Sequence, residues 1–250
     1  MKIIQDAYIV AATRTPVTKA PRGAFKNAHP ADLLAHCLKQ VVMQAPGIDA
    51  GRIDDVIVGC AMPEAEQGMN VARISALLAG LPQSVSGQTI NRFCSSGLQA
   101  VASAADRIRL GEADLMIAGG TESMSMVPMM GNKVAMSPSV FENEHVAIAY
   151  GMGITAENVA AQWNVSREDQ DAFAYASHQK ALAAIKAGHF TGEISPYDLA
   201  INSADLSTGR IISRNHSVVD DEGPRADTSL EGLAKLKPVF KARGSVTAGN

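Results

Sequence analysis

The stretch VSGQTINRFCSSGLQAVASAADRIRLGEADLMIA, residues 85–118, changes hydrophobic period twice, and those changes set the fold class. Val85 to Ile90 reads as a short strand. Leu98, Val101, Ala102, Ala105 and Ile108 then recur at helical spacing until a stop near Gly111, and Leu115-Met116-Ile117-Ala118 follows as a second strand. This order predicts a layered sheet with helices packed on it.

The same rhythm extends towards the amino end. Val56 to Cys60 reads as a buried strand, and Asn70 to Ala79 as a helix ended by Gly80. Pro30 opens a helix with Leu33, Leu34, Cys37, Leu38 and Val41 on one face, closed by Pro46 and Gly47, and Tyr8 to Ala12 is a short apolar strand. Towards the carboxyl end the texture changes after Gly119-Gly120. Met124 to Ala147 mixes Met, Pro, Ser, Gly and Asn without a sustained period, which places a domain boundary there. Beyond it, Thr155 is the expected N-cap of a helix containing Val159, Ala160 and Trp163. Ser166 with Asp169 forms a capping box for a longer helix that Gly188 ends, with Ala172, Tyr175, Ala176, Leu182 and Ile185 on its apolar face. Glu193 to Gly223 is polar and irregular, read as loops with short strands.

With 250 residues, 46% of them apolar, the chain can bury a substantial core. A net charge of -3 with both signs interspersed leaves no electrostatic footprint for nucleic acid or an anionic membrane. No apolar run is long enough to span a bilayer, and the amino end lacks the pattern of a secretory signal. Cys37, Cys60 and Cys94 are an odd set without CxxC spacing, which argues against a disulfide framework and a zinc site. A reducing, cytoplasmic setting without a bound metal is expected.

One cysteine stands out by position. Cys94 falls between a strand and a helix whose first turn is Ser95-Ser96-Gly97. Backbone N–H groups and the positive end of a helix stabilise thiolates, and small neighbours let a ligand approach sulfur closely. A packing role, the commonest fate of a free cysteine, stands beside the nucleophilic reading.

The segment Ile90-Asn91-Arg92-Phe93-Cys94-Ser95-Ser96-Gly97-Leu98-Gln99-Ala100-Val101 resembles the nucleophile signature of thiolases. Further segments are similar to the family and lie in its order: Ala12 to Pro16, Gly119 to Met124, Met152 to Glu157, Ser166 to Asp171 and Gly244 to Asn250. The resemblance implies a thiolase-like layered α/β fold, with an amino-terminal α/β domain (1–120) and an inserted loop domain covering coenzyme A (121–243). Residues 244–250 would return into the first sheet. It also implies that Cys94 attacks the keto carbonyl of a 3-oxoacyl-CoA and carries the acyl group until coenzyme A removes it. Coenzyme A would then be a co-substrate, with no permanently bound cofactor, and the assembly a homodimer or homotetramer.

For coenzyme A itself, the resemblance points to Arg225 near the nucleotide, to Gly232, Leu233, Phe240 and Ala248 along the pantetheine or adenine path, and to Met152 beside the acyl pocket. On residue type alone Arg225 is equally a solvated loop arginine, and the others are equally packing residues. Gly151 departs from the histidine that many acetoacetyl-CoA thiolases carry before Met-Gly, which favours a broader range of acyl chains. The family's Asn-Glu-Ala-Phe loop, activating histidine and second cysteine match nothing in these 250 residues. The expectation is an amino-terminal part, inactive alone. His29, His36, His145, His178, His189 and His216 are assigned no catalytic role. Two other readings are a decarboxylating condensing enzyme of the same superfamily and a non-catalytic coenzyme A-binding or assembly partner.

Overall fold

The computed structural model describes residues 4–142 and 151–250. The end of the expected irregular stretch Met124 to Ala147, His145 included, lies outside the described residues. The chain forms two compact units, Met1–Val134 with Gly192–Gly223, and Ala135–Thr191 with Pro224–Asn250.

The first unit contains α1 (Pro30–Met43), β1 (Asp55–Gly59), α2 (Val71–Leu78), β2 (Ser86–Ile90), α3 (Ser96–Arg109) and β3 (Met116–Gly120). It also holds a hairpin of β4 (Tyr197–Asp205) and β5 (Arg210–Val218). The parallel sheet has the order β2-β1-β3, with Val56 opposite Gly87 on one side and Ile117 on the other. β1 is buried along its whole length, as a central parallel strand covered on both faces must be. Alternation sorts its side chains. Val56 and Val58 join Leu34 and Leu38 of α1 and Ala72 and Ala76 of α2, while Ile57 meets Ala100 and Ala104 of α3. Burying each of these β1 side chains contributes about 1.5–3 kcal/mol. Helix follows strand twice in the expected order, and the termini of β1, α2, β2, α3 and β3 fall within about two residues of those expected.

Gly59 sets the spacing of the layers. A Cβ on it would lie 2.3 Å from the carbonyl carbon of Ser96, so the end of β1 meets the first turn of α3 backbone to backbone.

Two expectations fail in this unit. Tyr8 to Ala12 is not a strand, and Tyr8 and Ile9 are 76% and 80% exposed. The segment is pinned where Gln5 N–H donates to Arg109 and Arg14 N–H donates to Glu193. Between those points it lines a cavity of about 900 Å³ whose other walls include α1, α3 and β3. Apolar texture alone does not supply the neighbouring backbone that a ladder needs. Conversely, the segment read as loops with short strands is more regular than expected and forms two strands of nine residues each, in register from Tyr197↔Val218 to Asp205↔Arg210. Most of the hairpin is exposed on both faces, so alternation is muted. Its turn is closed by Asp205, whose carboxylate accepts from Ser207 and Thr208 and is held down to about 2 by those bonds. Its base packs Tyr197, Leu199 and Val218 on Phe25 and Ala28.

The second unit contains α4 (Ser139–Glu142), α5 (Met152–Trp163), α6 (Arg167–Lys186) and α7 (Leu230–Ala234). Ser166 caps α6 by accepting the Asp169 N–H at 3.1 Å, as the sequence predicts. α5 begins earlier than expected. Gly151, with extended backbone, is its N-cap and accepts the N–H groups of Ile154 and Thr155, so Thr155 lies in the first turn.

Candidate active site

Cys94 lies in a 3-10 turn, Phe93–Ser95, that joins the carboxyl end of β2 to α3. It is an exposed free thiol. Parallel pairing puts the ends of β1, β2 and β3 at this edge of the sheet. Ser95, at the cap position of α3, makes no side-chain capping bond. The electropositive helix start therefore adjoins the Cys94 turn, an arrangement suited to a sulfur anion or to a carbonyl oxygen becoming an alkoxide.

The turn is braced by side chains of its own motif. Asn91 Oδ1 accepts the Phe93 N–H at 2.8 Å, and Asn91 Nδ2 donates to Ala61 O at 3.0 Å. Ser96 Oγ accepts the Arg92 N–H at 2.8 Å and donates to Phe93 O at 2.6 Å. Behind Ala61, Glu122 accepts from the Ala61 N–H and from Gln67 Nε2, each at 2.7 Å. Gln67 Oε1 in turn accepts the Ser123 N–H. The Gly119–Met124 segment thus supports the loop after β1 on which the cysteine turn leans.

The other thiols are placed differently. Cys60 is 1% exposed, and burial, with Glu122 nearby, pushes its thiol up to about 11. Burial also pushes the half-buried Cys37 thiol up. Both remain neutral thiols near neutral pH. Among the histidines, His29 caps α1 by accepting the Ala31 N–H at 3.2 Å. His36 meets Ser195 Oγ at 2.8 Å, and burial lowers its pKa below the usual histidine range. His178 Nδ1 accepts the Arg225 N–H at 3.1 Å. Among the described residues no group of three or more His, Cys, Asp or Glu could hold a metal ion.

The residues expected near coenzyme A all belong to the second unit, where Arg225, Gly232, Leu233 and Phe240 meet neighbours outside the expected set. The Phe240 ring rests on Gly153, where a Cβ would lie 2.1 Å from Cδ1, so the ring is seated beside the exposed Met152 at the start of α5. Leu233, buried in α7, packs on Gly249, next to the exposed Ala248. Gly232 donates its N–H to Ser229 Oγ at the α7 N-cap. Arg225 is exposed, and its guanidinium fork meets Asp227 at 2.9 and 3.1 Å.

Sequence reasoning missed what fastens this unit. Glu157, 4% exposed, accepts the N–H groups of Ser245 and Val246 at 2.9–3.0 Å. Arg167 Nε donates to both carboxylate oxygens of Asp171, and its Nη2 donates to the carbonyls of Leu233 and Leu236. Asn250 Nδ2 also donates to Asp171, at 2.6 Å. Glu157 lies in a motif already noted, but nothing local marks it as an acceptor for a segment far along the chain.

A family model described as "Thiolase, N-terminal domain" matches residues 7–250. The chain is 46% identical over 248 residues to a 3-ketoacyl-CoA thiolase of Bacillus subtilis (strain 168), covering 99% of this chain and 62% of that protein. It is 44% identical over 247 residues to 3-ketoacyl-CoA thiolase 1, peroxisomal, of Arabidopsis thaliana, covering 98% and 54%. Among solved structures, a crystal structure of the Bacillus anthracis acetyl-CoA acetyltransferase superposes with a TM-score of 0.83 at 37% identity, covering 100% of this chain and 63% of that one. The chain thus spans between about half and three fifths of the length of these relatives.

Proposed function

Because the chain belongs to the thiolase family, we propose that it is the amino-terminal part of an acetyl-CoA C-acyltransferase whose acyl acceptor is Cys94. One observation carries this reading: of the three free cysteines, only Cys94 is exposed, and it lies at a helix start on the carboxyl edge of a parallel sheet. The Cys94 sulfur attacks the C3 carbonyl of a 3-oxoacyl-CoA. The C2–C3 bond then breaks, its electron pair leaves on acetyl-CoA and is protonated there, and the remaining acyl group stays on sulfur as a thioester. The coenzyme A thiolate attacks that thioester and expels Cys94 as thiolate, which restores the enzyme. The reverse sequence is Claisen condensation. The base, the proton donor and most of the oxyanion stabilisation come from polypeptide beyond the matched region, so this chain alone is inactive.

In this reading residues 121–243 form the loop domain that covers coenzyme A. Arg225 meets the nucleotide by stacking or by a phosphate contact, Gly232, Leu233, Phe240 and Ala248 line the path of the pantetheine or adenine, and Met152 borders the acyl pocket. Coenzyme A comes and goes as co-substrate, and no cofactor is held permanently. The protein works as a homodimer or homotetramer in the cytoplasm, where free thiols persist, and binds neither nucleic acid nor membrane. Among the described residues no helix is long and apolar enough to cross a bilayer.

Coenzyme A-dependent cleavage of a 3-oxoacyl-CoA series, measured on the full-length polypeptide, tests the proposal. Activity extending beyond acetoacetyl-CoA and abolished by Cys94→Ala is expected. Undiminished cleavage in that variant would remove Cys94 from the mechanism.

A further inference from the structure

We propose that Ser96, with Asn91, is a positioning residue for the nucleophile: it holds Phe93 in a left-handed conformation that presents the Cys94 sulfur at the start of α3. The inference rests on the reading of Cys94 as acyl acceptor. Phe93 has φ +47°, a region that residues with a Cβ enter at a cost and keep only where their surroundings enforce it. Here the peptide groups leading into Cys94 are each held. The Arg92 N–H goes to Ser96 Oγ, the Phe93 N–H to Asn91 Oδ1, and the Phe93 carbonyl accepts from Ser96 Oγ. One hydroxyl therefore closes both sides of the strained residue.

That hydroxyl acts from a fixed point. Ser96 is buried, and its backbone lies against Gly59 at the end of β1. Asn91 is anchored separately, through Nδ2, to Ala61 in the loop after β1. Both braces thus refer the cysteine turn to the central strand of the sheet. Without the Ser96 hydroxyl the Arg92 N–H loses its partner and the Phe93 carbonyl keeps only the Ser96 backbone N–H, so one of the two side-chain braces on the positive φ of Phe93 is gone and its relaxation towards negative φ is opposed by Asn91 alone among the side chains that touch it. Cys94, the next residue, then swings away from the helix start.

The test compares Ser96→Ala, Phe93→Gly and the double variant in the full-length polypeptide. Cys94 alkylation by iodoacetamide at one fixed pH is followed by peptide mass spectrometry. Single-turnover acylation by a 3-oxoacyl-CoA is measured over a range of concentrations. Ser96→Ala is expected to slow maximal acylation about 10- to 100-fold, as a small misplacement of a reacting group does, with the half-saturating concentration unchanged. Alkylation of Cys94 should slow in parallel. Phe93→Gly added to Ser96→Ala should recover much of both rates, because glycine takes positive φ without steric cost. Unchanged rates in Ser96→Ala, or a loss that glycine at position 93 does not recover, would overturn the proposal. If the unaltered protein is alkylated but never acylated, the acyl-transfer reading fails, while the alkylation rates still decide whether Ser96 positions the cysteine.

Discussion

In the first unit, Val56, Ile57 and Val58 are among the deepest side chains, enclosed by α1, α2 and α3, whereas in the second unit the deeply buried side chains include the carboxylates Glu157 and Asp171. One region is fastened by apolar packing around a strand, the other by charged groups gripping backbone N–H groups, carbonyls and each other. The difference suits the tasks proposed for them. Apolar packing is non-directional and fixes the height of the strand ends, which is what a cysteine at the edge of the sheet requires. Hydrogen bonds to a buried carboxylate are directional and fix the course of a loop, which the segment carrying Phe240 and Ala248 requires.

The largest effect is expected where the first unit is tightest. Gly59→Ala would force a Cβ to within 2.3 Å of the Ser96 backbone, which neither strand nor helix can yield without moving apart. A loss of about 3 kcal/mol, read from the urea midpoint, is expected. A near-neutral result would show that the two layers are not held at this distance. Next comes Glu157→Ala, which orphans the Ser245 and Val246 N–H groups at a cost of about 2 kcal/mol. Hydrogen exchange should show protection lost at Ser245 and Val246 and kept in β1. Equal loss in both would erase the contrast between the units.

A smaller effect concerns the polar fastening of the first unit. The Arg14 guanidinium, hydrogen-bonded to Asp221, holds that carboxyl below its ordinary value of 3.8. A carboxylate whose pKa is depressed in the folded state stabilises it fully above that ordinary value. The contribution is lost as pH falls through the lower folded value. Asp221→Asn is expected to cost about 1 kcal/mol at pH 7, and the difference from the unaltered protein should vanish in strong acid. A difference that persists there would assign it to packing instead. Finally, iodoacetamide at pH 8 should label Cys94 first and leave Cys60 untouched while the fold persists, because Cys60 is buried and its thiol is pushed up to about 11. Early labelling of Cys60 would mean that the layer of α1, α2 and β1 opens readily.

The elements of the first core were legible because periodicity records burial: Val56 to Cys60 had to lie inside, and the Leu98–Ile108 face had to cover a sheet. Tyr8 to Ala12 misled for a related reason, since apolar residues there line a cavity and not a ladder. The hairpin of β4 and β5 was hidden because its exposed faces carry little periodic signal. In the candidate site, Cys94 could be read from its place between strand and helix and from the family signature. The roles of Asn91 and Ser96 could not, because they depend on the backbone conformation of Phe93. The grip of Glu157 on Ser245 joins residues 88 apart, a pairing that exists only once both segments have folded.

Peptide mass spectrometry of the full-length polypeptide, quenched in acid after brief exposure to a 3-oxoacyl-CoA, asks directly whether Cys94 carries the acyl group. An acyl group is expected on the peptide containing Cys94, removed on adding coenzyme A and absent in Cys94→Ala. A label confined to Cys37, Cys60 or a residue other than a cysteine would contradict it.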